Sequence, residues 1–157
     1  MSSVTQFSVS IPRAHRPDPT EPAGDPYEWF QRATQLLDSG NPDAAAQLLE
    51  RVLDAEPGST AALESLARAR FDARRYQEAA VAFERLLAVA PDNDYAHFGR
   101  GLCAWHVQQF ETARDHLALA FVMRPHRPEY SRALAQVKAT IKARAAGELP
   151  LNGPVWT

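Results

Sequence analysis

A fixed interval constrains this chain more than any single residue does. Pro57, Pro91 and Pro125 stand 34 residues apart, and Ala45, Ala79 and Ala113 keep the same spacing. A unit of that length holds two helices and a tight turn, and units of this kind bury their apolar faces only against their neighbours. Residues 60–93 show the pattern most clearly. Leu63, Leu66, Ala67 and Phe71 fall at helical spacing, Asp72 to Arg75 forms a short break, and Ala79, Ala82, Phe83, Leu86 and Leu87 resume the period. So short a break fits only an antiparallel helix pair.

The helix ends carry their own signals. Asp25, Pro26 and Glu28 are placed for a capping box with proline at the first helical position. Gly40 closes that helix, and Asn41-Pro42 is predicted to start its partner by the same logic. Ser59 and Asn93 are the corresponding caps of the later units. A further helix is predicted over 128–146, where Leu134, Val137 and Ile141 form one apolar face and Gly147 ends the helix. It has no returning partner, as a lid on the last repeat requires.

Composition narrows the function classes. Residues 26–123 hold nine Arg and no Lys against fourteen Asp and Glu, a net −5, whereas residues 124–157 reach +4. An acidic repeat body argues against a nucleic-acid surface. Cys103 is the only cysteine, so no intrachain disulfide forms and a reducing, cytoplasmic setting is expected. No apolar run is long enough for a membrane span or a signal peptide.

The two ends differ from the body. Residues 1–25 have no helical period and are expected to be a flexible arm. Phe7, Val9 and Ile11 alternate with Ser8 and Ser10, and two readings stand: an extended docking segment, or plain linker. Residues 147–157 form an irregular tail that carries Leu149, Leu151, Val155 and Trp156.

Taken in register, these residues resemble the tetratricopeptide repeat family. The matching positions are Trp29, Ala33, Ala45, Leu49 and Pro57; then Leu66, Ala67, Tyr76, Ala79, Phe83 and Pro91; then Gly101, Phe110, Ala113, Leu117 and Pro125. The resemblance covers residues 26–146. It implies an all-α fold, a right-handed α-solenoid of three helix-turn-helix repeats (26–59, 60–93, 94–127) with a capping helix at 128–146. Arg32, Arg70 and Arg100 depart from the family pattern at positions usually apolar or aromatic. Their stems are expected to lie along the core with the charged heads in water.

The family binds partners on the concave surface formed by the first helix of each repeat. Carried over by position, that surface comprises Tyr27, Phe30, Thr34, Leu37, Arg68, Phe71, Tyr95, Phe98, Leu102 and Trp105, with Asp38, Glu64, Asp72 and His106 beside them. So aromatic a patch marks a partner site, where it is not packed between helices instead. Family members that hold acidic C-terminal peptides of heat-shock chaperones use Lys, Arg and Asn as a carboxylate clamp. The corresponding sites here are Phe30, Thr34, Ser65, Tyr95 and Gly99, which cannot form one.

No phosphate loop and no nucleophile–base pair can be read, and Cys103 with His97 or His106 gives only a weak metal hint, so no enzyme, cofactor or metal is expected. The resulting expectation is a non-catalytic adaptor, scaffold or chaperone-like module for an apolar peptide or helix. The alternative is a structural subunit or homo-oligomer whose groove is filled by its own tails.

Overall fold

A computed structural model of the chain describes residues 24–148. Within them the chain forms seven helices and no strands: α1 (Pro26–Asp38), α2 (Pro42–Ala55), α3 (Thr60–Asp72), α4 (Tyr76–Val89), α5 (Asp94–His106), α6 (Phe110–Met123) and α7 (Pro128–Ala145). Each helix packs on the next. In addition α1 touches α3 and α3 touches α5, so the odd-numbered helices form an inner layer. This is an all-α helical solenoid.

Three helix starts are built as their sequences predict. The Asp25 carboxylate accepts from the Glu28 N–H at 2.9 Å while Glu28 reaches back to the Asp25 N–H at 3.3 Å. Ser59 Oγ accepts from Ala62 N–H at 3.2 Å, and Asn93 Oδ1 accepts from Ala96 N–H at 2.9 Å. Asn41 does not act as predicted. Its side chain caps nothing and instead donates to the Ser39 hydroxyl at 3.1 Å. Helix α2 therefore starts on Pro42 without a side-chain cap.

The periodic small residues are where helices meet. Ala33, Ala45, Ala67, Ala79 and Ala113 are all fully buried. Gly101 serves the same purpose in α5, because a Cβ there would lie 2.8 Å from Leu117. Around these contacts Leu49, Leu63, Leu66, Phe83, Leu86 and Leu117 fill the interior. Truncating any one of these leucines should cost about 2–5 kcal/mol. One core cluster runs from α1 to α5, and a second joins α5 and α6 to Leu134 and Val137 of α7. Tyr130 ties the lid further, donating to the Asp94 carboxylate at 2.6 Å.

The arginines at apolar family positions are handled differently from expectation. Arg100 is not wet at its head: its side chain is 14% exposed and its Nε lies 2.9 Å from Glu84 of α4. Arg70 meets Glu78 at 3.2 Å. Only Arg32 stays exposed. A buried guanidinium needs a paired carboxylate, and the following or preceding helix supplies one.

Candidate functional site

The inner layer brings most of the sequence-predicted residues together. Tyr27 is 68% exposed on α1, and Arg68 and Thr34 are also exposed. Phe30, Phe71, Tyr95, Phe98 and Leu102 are half-buried along α1, α3 and α5. Two members of the predicted set do not belong to the surface. Trp105 is 1% exposed and packs edge-on against Phe110 at 5.2 Å, and Leu37 is 9% exposed. Both point into the core, so neither is available to a partner.

The centre of the surface lies between α3 and α5. The Tyr95 phenol is pushed up from its ordinary value, mainly by burial, then by the carboxylates of Glu64 and Asp72, while Arg68 opposes them. These four groups therefore share one electrostatic neighbourhood. Arg68 pairs with Asp72 at 3.7 Å along the helix, a contact contributing a few tenths of a kcal/mol at this exposure. A depression of about 510 Å³ opens at one end, bordered by Thr60, Glu64, Asp92, Tyr95, Arg127 and Tyr130.

Several rings in this surface also brace the fold. Tyr95 meets Phe83 edge-on at 5.9 Å, and Phe98 lies 4.7 Å from the Tyr130 ring. Phe71 stands edge-on to Tyr76 at 5.2 Å and to His106 at 5.5 Å, while Tyr76 and His106 stack in parallel at 3.9 Å. The His106 imidazole is held below its usual pKa, first by burial and then by Arg74. Thr34 turns its hydroxyl onto its own helix, donating to the Phe30 carbonyl at 3.0 Å. The side chains that stay partly or fully open on this layer are Tyr27, Phe30, Tyr95, Phe98 and Leu102, with Glu64, Arg68 and Asp72 beside them.

The histidines and the cysteine that adjoin in sequence separate in space. Cys103 is 1% exposed, and burial pushes its thiol up to about 12. Such a thiol is an inert core group. His106 is engaged by the aromatic stack, and His97 turns toward α6. Among the described residues no three His, Cys, Asp or Glu side chains converge as a metal set. Nor is any helix among them long and apolar enough to cross a membrane.

Sequence reasoning missed a second apolar feature. Val81 and Val89 on α4, and Leu119, Val122 and Met123 on α6, are large and exposed on the outer layer. Their spacing blends with the core period of these helices, so only the direction of each side chain separates them from it.

The tetratricopeptide repeat model matches residues 30–85 and again 65–128. The chain belongs to the tetratricopeptide repeat family. Among curated proteins, the Protein CTR9 homolog of Arabidopsis thaliana is 33% identical over 92 residues, 58% of this chain and 8% of that protein. This tetratricopeptide chain thus spans under a tenth of that relative's length. Solved structures of similar fold include the first tetratricopeptide domain of Spaghetti (RPAP3) bound to the HSP90 peptide SRMEEVD. It matches with a TM-score of 0.71 at 17% identity, over 74% of this chain and 93% of that one. The Sgt2 domain from Aspergillus fumigatus matches with a TM-score of 0.73 at 17% identity, over 90% and 95%. MamA from Desulfovibrio magneticus RS-1 gives 0.72 at 22% identity, over 79% and 71%. At such identities the likeness is one of tetratricopeptide fold.

Proposed function

We propose that this chain is a non-catalytic interaction module, an adaptor or chaperone-like scaffold, that seats an apolar peptide or helix on its inner layer. The observation that carries this reading is the row of half-exposed rings, Phe30, Tyr95 and Phe98, flanked by exposed Tyr27. Soluble surfaces seldom leave so many aromatic faces uncovered together, and Tyr is a favoured anchor. Glu64, Arg68 and Asp72 would orient the ligand at the rim. Cys103, a buried thiol, suits a reducing compartment such as the cytoplasm.

The fold neighbours sharpen the choice of ligand. The Spaghetti domain is described with SRMEEVD and the second RPAP3 domain with the HSP70 peptide SGPTIEEVD, both ending in acidic residues. Here Phe30, Thr34, Ser65, Tyr95 and Gly99 stand at the clamp positions, and Arg68 already faces Asp72. Glu64 adds further repulsion. We therefore propose an uncharged or mildly basic apolar segment in place of a carboxylate terminus.

A second reading fills the groove from within the chain. The arm that carries Phe7, Val9 and Ile11 leads directly into α1, one wall of the groove. A tether this short gives an effective concentration of about a millimolar. Those residues, like Leu149, Leu151, Val155 and Trp156, lie outside the described region. One experiment addresses both readings: selection of twelve-residue peptides on the full chain, then calorimetry of the best peptide and of SRMEEVD. Our reading expects an apolar peptide to bind and SRMEEVD to fail. The second reading expects binding to tighten once residues 1–20 are deleted. Capture of SRMEEVD with the selected peptides excluded would refute the apolar groove.

A further inference from the structure

His97 on α5 and His116 on α6 face each other with their Nδ1 atoms 3.2 Å apart. The 34-residue interval shows how unusual this is. The equivalent positions hold Trp29 and Leu48 in the first repeat, and Leu63 and Ala82 in the second. Both members of the pair change from apolar to titratable together, in the third repeat alone.

The hydrogen positions follow from the partners. His97 Nε2 lies 3.1 Å from the Pro91 carbonyl oxygen, which only accepts. His97 Nε2 therefore carries the hydrogen, and its Nδ1 offers a lone pair. The hydrogen between the rings then belongs to His116 Nδ1. The ring centres are 5.5 Å apart, little more than the nitrogen gap plus two ring radii, so the nitrogens meet head-on. A chain of two hydrogen bonds thus runs from α6 through α5 to the loop that follows α4.

We propose that the His97–His116 pair is an acid-labile clasp of the third repeat, closed by one hydrogen between the imidazoles and opened when both rings become imidazolium. A first added proton goes to His116 Nε2 and leaves the clasp intact. A second must place N–H groups on both facing nitrogens, which repel.

The surroundings favour the closed form near neutrality. His116 is held below its ordinary value of 6.5, first by burial, then by Arg100, then by His97, with Glu84 and Asp115 opposing. Arg100 belongs to α5, Glu84 to α4 and Asp115 to α6. The sign follows. In the unfolded chain His116 takes up its proton as pH falls below about 6.5, while the folded protein resists. Stability is complete above that pH and declines below it until folded His116 itself takes up its proton. His97 Nε2–H keeps its hydrogen throughout, so the link to the Pro91 carbonyl, beside Asp92 and Asn93 on the border of the 510 Å³ depression, is the part of the chain that acid leaves in place. The clasp stands whatever occupies the groove.

The test is thermal unfolding of the full chain at pH 7.5 and 5.5, with EDTA present. The comparison is His97→Leu with His116→Ala, which copies the Leu63–Ala82 pair of the second repeat. The wild type should lose about 4 °C more on acidification than this double variant. His106→Gln, which removes the contribution of the other depressed histidine, should still lose more on acidification than the double variant. Equal loss in wild type and double variant overturns the proposal, as does disappearance of the loss in His106→Gln. Should the double variant not fold, imidazole nitrogen NMR of the wild type decides. The Nε2–H form at His97 with the Nδ1–H form at His116 supports the clasp, and two independently titrating Nε2–H rings refute it.

Discussion

Position twelve of each repeat shows what single residues disclose. Leu37, Phe71 and Trp105 occupy it in turn, each four residues after a fully buried small residue, Ala33, Ala67 or Gly101. Residues at i and i+4 share a helix face, so the core direction of position twelve is written in the chain. The family's binding pattern outweighed that signal and placed Trp105 and Leu37 on the groove. The histidine clasp was legible only by comparing repeats, because His97 and His116 are distant in sequence. Gly99 is a third case. A Cβ there would come within 2.1 Å of the Phe83 ring, while the equivalent positions hold Gln31 and Ser65. Phe83 is larger than its counterparts Leu49 and Leu117, and Gly99 makes room for it. Gly99→Ala should destabilise the chain by about 1–3 kcal/mol, read as a lower urea midpoint at unchanged slope. An unchanged midpoint would mean that the ring shifts freely.

Helices and their caps were largely readable, since proline, glycine and the small residues recur in register. The turns within each repeat were readable as breaks, at Gly40 and at Asp72 to Arg75, but the left-handed backbone of the later two was not. Gly40, Arg74 and Gln108 sit 34 residues apart and all adopt positive φ, at 80°, 60° and 64°. The first repeat uses glycine there, whereas the others hold side chains in a conformation that costs them about 1–2 kcal/mol. Nothing in the identity of an arginine or a glutamine announces a left-handed residue; the geometry of the two-helix unit imposes it. Gln108→Gly should therefore stabilise the protein, by about 0.5 kcal/mol once the greater freedom of glycine in the unfolded chain is set against the relief. Chemical denaturation measures this, and a loss of stability would show that the Gln108 side chain contributes more than its backbone costs.

Across the whole molecule, two layers divide the labour. The outer helices carry ion pairs that bridge repeats, Asp43 with Arg75 at 2.8 Å and Glu50 with Arg85 at 3.2 Å, together with an exposed apolar series on α4 and α6. The inner helices carry the aromatic row. The solenoid followed from the sequence because its period is a property of the chain, but the choice of face depends on where side chains point after packing. Both layers expose apolar area, so the central claim is that the inner one binds. Tyr95 on α5 and Val122, 75% exposed on α6, separate the two. The deciding measurement is the affinity of a selected apolar peptide for Tyr95→Ala and Val122→Ser, each checked for an intact fold. Our account predicts that Tyr95→Ala weakens binding by about 2 kcal/mol, roughly thirtyfold, while Val122→Ser leaves it unchanged. Full affinity in Tyr95→Ala with a loss in Val122→Ser would contradict it and move the binding surface to the outer layer.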